Sequence, residues 1–163
     1  MYHVSLFAAL VLAADHRVLL DAHNCYPYDG KYADRIERAL ATGVPVAIEQ
    51  DLAWTGTRSV LSHETKTTGT EPLMKDYFFE RIRPLIETEL KEKKHKQDWP
   101  LIVLNLDFKT NEPEHHRAVW SLLTEYKDWL TTAPKSKAGK VAKLKLKPVL
   151  VLTGSPEVQE RIY

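Results

Sequence analysis

Cysteine is nearly missing from this chain of 163 residues: Cys25 is the only one. No intramolecular disulfide and no cysteine metal cage can form. Glycine is also sparse, with six in all, and no glycine-rich loop follows the first strand-like run. Nucleotide binding of the dinucleotide or P-loop kind is thereby disfavoured. Charge of one sign is not in excess either, since Lys and Arg exceed Asp and Glu by one. A globally basic field for nucleic acid is excluded, and only a local patch remains open. Long apolar runs are lacking too. The longest, within residues 1–14, is too short to span a bilayer.

That N-terminal run has the length of a secretory h-region, and Val11-Leu12-Ala13 resembles a signal-peptidase site, although no Lys or Arg precedes it. The expectation is a signal peptide over residues 1–14, a mature chain beginning near Ala14 or Asp15, and a secreted or periplasmic location. The competing reading is a first helix or strand packed on the base of the domain. Hydrophobic content of 44% with 28% charged residues is that of a folded globular domain.

Four strand-like runs each end in polar groups suited to chemistry. His23 follows Arg17 to Ala22, Glu49 and Asp51 close Val44 to Leu52, His63 follows Arg58 to Ser62, and Asp107 with Lys109 follows Leu101 to Leu106. Side chains two apart in a strand share a face, so Glu49/Asp51 and Asp107/Lys109 project as pairs. Parallel strands side by side would gather all of them at one rim. Imidazoles, carboxylates and an ammonium together suit a hard divalent ion and an anionic substrate. Taken singly, a strand-end histidine is usually structural, and Glu49 and Asp51 could be loop caps or salt-bridge partners. Cys25, two residues past His23, reads as a small residue lining a loop rather than a nucleophile.

Between these runs the periodicity predicts helices over about Tyr32 to Leu40, Pro72 to Lys94 and Pro113 to Leu130, with another starting at Ser155-Pro156-Glu157. Ala118, Leu122 and Leu123 are expected to face inward and Trp120, Tyr126 and Trp129 to be partly buried. Pro148 to Thr153 is a further buried-type strand. Six lysines within Lys135 to Lys147 form a basic stretch. It could touch an anionic membrane surface, although a solvated loop is the plainer reading. His3, His16, His95, His115 and His116 are expected at the surface. Alternating strands and helices argue for a parallel α/β architecture, either an open doubly wound sheet or a TIM-type (β/α)8 barrel. About five of eight barrel strands can be counted, so residues 15–163 are expected to form the N-terminal part of a barrel domain, with an exposed edge after the last strand.

The ordered set Asp21-Ala22-His23-Asn24, Ile48-Glu49-Gln50-Asp51, Leu61-Ser62-His63 and Leu106-Asp107-Phe108-Lys109 resembles the phosphatidylinositol-phospholipase-C-like phosphodiesterase superfamily. Within it the set is most similar to glycerophosphodiester phosphodiesterases and sphingomyelinase D-like enzymes. The resemblance runs from Val18 to Thr153 and implies a metal-dependent phosphoric diester hydrolase or lyase acting on a phospholipid or glycerophosphodiester. His23 and His63 would be the acid/base pair, Glu49, Asp51 and Asp107 would bind Mg²⁺ or Ca²⁺, and Lys109 would meet the phosphate. Asn24 stands where glycerophosphodiesterases carry an arginine, and Glu64 follows His63 where Asp or Gly is usual. Both departures bear on substrate identity rather than on the metal. Two other functions compete: a degenerate barrel that binds phosphorylated headgroups without turnover, and an amidohydrolase-like metal hydrolase suggested by Asp21-x-His23.

Overall fold

A computed structural model describes residues 19–92, 100–135, 142–154 and 156–162, apart from the side chains of 156, 159 and 160. The expected export segment, His3, His16, His95 and residues 136–141 of the lysine-rich stretch lie outside the described residues.

Five strands form one sheet: β1 (Leu20–Ala22), β2 (Val46–Trp54), β3 (Ser59–Leu61), β4 (Ile102–Phe108) and β5 (Val149–Thr153). The helices are α1 (Arg35–Ala41), α2 (Glu80–Glu92), entered through a π-helical turn over Lys75–Phe79, α3 (Pro113–Glu125) and α4 (Pro156–Ile162). The order across the sheet is β1-β2-β4-β5, all neighbours parallel, with β3 antiparallel on the end of β2. Each parallel strand therefore lies beside the preceding one, with no reversal of order. A helix lies in sequence between each successive pair, as parallel connections require. The sheet is open.

The even-numbered positions of β2 and β4 make one face. Val46, Ile48 and Leu52 join Ile102, Leu104 and Leu106 in an apolar cluster with Ile36 of α1, Phe78 and Phe79 of the π turn, Ile82 and Ile86 of α2, and Val119 and Leu123 of α3. Burying such side chains contributes about 1.5–3 kcal/mol each. The odd-numbered positions, including Glu49, Asp51, Asn105 and Asp107, face the other way. Leu20 and Leu152, on the two outermost strands, remain 46% and 48% exposed, as expected for an open sheet.

Three expectations are corrected. The segment ending in Ser62 does not add a parallel strand. Four residues, Thr55 to Arg58, separate β2 from β3, and a parallel crossover needs about a dozen or more, so the chain turns back in a hairpin with Gly56 at φ +93°. His115 and His116 are not at the surface, since both are 0% exposed. His115 lies between Ser59 Oγ (2.8 Å from Nε2) and Thr110 Oγ1 (2.9 Å from Nδ1), and His116 Nε2 is 2.7 Å from Asn111 Oδ1. Trp120 is 48% exposed, whereas Tyr126 and Trp129 are buried around Phe79, and Tyr126 stacks on it at 4.0 Å. The lysine-rich stretch is tied at its end, where Lys145 pairs with Thr132 and the Lys147 carbonyl accepts from Thr131 Oγ1. Among the described residues, no helix is long and apolar enough to cross a membrane.

Candidate metal centre

The register of β2 on β4 sets Glu49 opposite Asn105 and Asp51 opposite Asp107. Opposed residues on one sheet face lie side by side, and Lys109, two residues past Asp107, projects from the same face. The Lys109 amide donates to the Leu52 carbonyl at 2.8 Å, which extends the pairing past the strand. One carboxylate oxygen each from Glu49, Asp51 and Asp107 lies within 4.8 Å of the others, a group that could hold a metal ion. Glu49 and Asp51 are 7% and 1% exposed, and the Asp107 side chain is about half exposed. The cluster therefore opens to solvent on the Asp107 side.

Lys109 is the cation nearest these acids. Its Nζ donates to Asp107 Oδ2 at 2.7 Å and lies 3.4 Å from Asp51 Oδ1. Burial pulls this ammonium's pKa down, but the hydrogen bond to Asp107 and the charges of Asp51 and Asp107 outweigh that pull and hold it above the ordinary lysine value. Among the described residues one ammonium meets three carboxylates. Among the described residues Asp51 Oδ1 is buried without a hydrogen-bond partner and has only Lys109 Nζ at 3.4 Å, so it could also accept a bound cation.

The first histidine is built into the same group. After β1, Asn24 takes a left-handed backbone (φ +50°), which Asn tolerates better than most residues, and its amide reaches Glu49 Oε2 at 3.1 Å. His23 Nδ1 lies 3.1 Å from that same oxygen, and its Nε2 is 3.6 Å from Asp21 Oδ2. The ring is 67% exposed, so one edge is anchored while the other meets solvent. The following residues run along β2: the Cys25 amide donates to the Glu49 carbonyl at 3.2 Å, Gln50 Nε2 donates to the Cys25 carbonyl at 2.7 Å, and Tyr26 OH donates to Asp51 Oδ2 at 2.5 Å.

His63 arrives by the hairpin. Because β3 runs back along β2, the Ser62 amide donates to the Asp51 carbonyl at 3.1 Å, which places His63 one residue from that pairing. Its side chain, 48% exposed, meets the Tyr28 ring at 5.9 Å and Glu64 Oε1 at 3.6 Å rather than the carboxylates. Glu49, Asp51, Asp107, Lys109 and His23 are thus brought into direct contact, and His63 stands on the neighbouring loop. Cys25 is buried, its thiol donating to the Ala22 carbonyl at 3.0 Å. Burial pushes the thiol pKa up to about 12, well above what thiolate nucleophilicity needs near neutral pH.

Sequence reasoning missed Tyr26 and the Asn24 amide. No local pattern marks either. The only pointer is chemical: a carboxylate in the middle of a sheet needs a donor from somewhere, and the loop after the neighbouring strand is the nearest source. Comparison with protein-family models, curated proteins and solved structures finds no match to this chain.

Proposed function

We propose that this chain is a metal-dependent phosphoric diester hydrolase or lyase acting on a phospholipid or glycerophosphodiester. The supporting observation is the set of three carboxylates within 4.8 Å of one another, with Lys109 among them and His23 Nδ1 3.1 Å from Glu49 Oε2. The ordered set of residues resembles that of the phosphatidylinositol-phospholipase-C-like phosphodiesterases, and the unreversed strand order with helices between strands is compatible with a barrel wall.

The donor set is all hard oxygen, which favours Mg²⁺ or Ca²⁺. Each acid has one oxygen held by a protein donor: Glu49 Oε2 by the Asn24 amide, Asp51 Oδ2 by Tyr26, and Asp107 Oδ2 by Lys109. One oxygen from each acid could meet a common cation, with Lys109 giving way at Asp51 Oδ1. When bound, such an ion draws charge from a non-bridging phosphoryl oxygen and orients the diester.

The remaining roles belong to the chain's own residues. Glu49 fixes the His23 ring through Nδ1, so proton exchange falls to Nε2, whose neighbour is Asp21. His23 takes a proton from the attacking hydroxyl or gives one to the leaving oxygen, and His63, carried in on the hairpin, takes the complementary part. Lys109 places a protonated ammonium where negative charge accumulates on the phosphoryl group. With a substrate hydroxyl as attacker the product is a cyclic phosphate, and with water it is the hydrolysed monoester.

Turnover of bis-(4-nitrophenyl) phosphate tests the reading. It is expected to be lost on EDTA treatment and restored by Mg²⁺, and to fall about 10²–10⁴-fold in His23→Ala. Tight, stoichiometric headgroup binding without turnover would replace the enzyme by the degenerate-barrel alternative. Restoration by Zn²⁺ but not by Mg²⁺ would favour the amidohydrolase-like one.

A further inference from the structure

Among the described residues the hydroxyl of Tyr26 is the one uncharged side-chain donor that reaches the acidic cluster, and it reaches the most buried acid. Asp51 is 1% exposed and Tyr26 is equally buried. Their O–H···O separation of 2.5 Å lies at the short end of what a phenol and an ionised carboxylate adopt. We propose that Tyr26 is a positioning residue: by occupying Oδ2 it locks the Asp51 carboxylate so that Oδ1 alone is presented to the cation. This rests on the metal-dependent reading above and extends it to a residue outside the ligand set.

Three features argue for positioning over simple satisfaction of a buried polar group. First, the donor is rigid. Tyr26 is 1% exposed and belongs to the buried apolar cluster, so the hydroxyl has little freedom to follow a rotating carboxylate. Second, its backbone is registered on the strand that carries Asp51, through the Cys25 amide on the Glu49 carbonyl and Gln50 Nε2 on the Cys25 carbonyl. A shift of the loop would move donor and acceptor together. Third, the two Asp51 oxygens are treated oppositely: Oδ2 has a strong donor, while Oδ1 has no hydrogen bond and only the 3.4 Å approach of Lys109. Without Tyr26 the carboxylate could turn to give both oxygens to Lys109, which would compete with a metal. The same bond also ties the loop bearing His23 to the strand bearing two ligands, so cation binding and histidine placement are mechanically linked.

The test is Mn²⁺ affinity, read by electron paramagnetic resonance on the whole chain stripped with EDTA. Removing a partner that orients a metal ligand typically weakens binding by about 10–100-fold, and Tyr26→Phe is expected to fall in that range with its near-ultraviolet circular dichroism unchanged. Tyr28→Phe, whose hydroxyl meets Glu64 rather than the cluster, should change affinity by no more than about twofold. In an Asp51→Asn background, Tyr26→Phe should add little further loss, because the two groups act as one unit. Wild-type binding with an equally tight Tyr26→Phe overturns the assignment of Tyr26 and leaves the metal reading standing. A wild-type chain that takes up no Mn²⁺ overturns both. Should Tyr26→Phe fail to fold, ¹³C-tyrosine-labelled wild type gives the answer: Mg²⁺ must shift the Tyr26 ring-carbon resonance more than that of Tyr28, and an unmoved Tyr26 signal refutes the coupling.

Discussion

Replacing Lys109 by methionine removes the only ammonium that the described residues place in the acidic cluster while keeping most of the side-chain volume, and the structure sets the size of the effect. At 2.7 Å from Asp107 and 3.4 Å from Asp51, with an effective dielectric constant of about 20, the two attractions are roughly 6 and 5 kcal/mol before desolvation. Asp107 is 48% exposed, so much of its share is screened by water. The Asp51 share is not, because that carboxylate is buried. Removing one partner of a buried pair costs about 3–5 kcal/mol, and the open side of this cluster argues for the lower end, about 3 kcal/mol. For a chain of this size that corresponds to a fall in Tm of roughly 6–12 °C. A divalent ion should offset the loss, since a ligand at one hundred times its Kd stabilises by about 2.7 kcal/mol. Thermal melts of wild type and Lys109→Met, in EDTA and in Mg²⁺, read all four states. Mg²⁺ should stabilise the variant more than the wild type, where Lys109 competes for the same oxygens. A variant as stable as wild type in EDTA, or one that Mg²⁺ does not stabilise, refutes the reasoning.

Two further outcomes concern buried groups beside the site. Burial pushes the His115 imidazole down to about 4 from an ordinary 6.5, so between those values the unfolded chain binds the proton and the folded chain does not. Stability contributed by neutral His115 is complete above pH 6.5 and is lost as pH falls towards 4, by about 3 kcal/mol. Urea titrations across that window should show a steeper decline in wild type than in His115→Asn, and equal slopes would remove His115 as the cause. Cys25 should resist a thiol reagent in the native state at pH 8 and react on unfolding, because burial holds its pKa near 12. Cys25→Ala should keep phosphodiester turnover within about tenfold, and a greater loss at full folding would return the thiol to the mechanism.

The acidic centre was legible because two strands of buried type each place a charged residue at alternate positions near their ends, and a parallel pairing needs only the right register to merge them. Asp51 opposite Asp107 is that register. The direction of β3 was also readable in principle, since the four-residue gap after Trp54 permits a hairpin and forbids a crossover. The burial of His115 and His116 was not. Adjacent helical residues point about 100° apart, which argues against a shared ligand but not against two separate buried partners. Those partners, Ser59, Thr110 and Asn111, come from the hairpin and the loop after β4, contacts that no helical period encodes. Tyr26 was hidden for the same reason: its bond to Asp51 spans 25 residues and is created by the pairing of β1 with β2. Trp120 went the other way. Its helical position faces outward, and bulk alone gave no reason to expect so much of the ring in solvent.

Locating the ion decides the central claim most directly. A crystal of the whole chain soaked in Mn²⁺ should show one anomalous peak bonded by oxygens of Glu49, Asp51 and Asp107, at about 2.0–2.6 Å as hard cations adopt with carboxylates, with the Lys109 ammonium moved away from Asp51. A peak elsewhere, or no peak with Lys109 still seated between Asp51 and Asp107, would show that the cluster is a salt bridge closed by its own lysine.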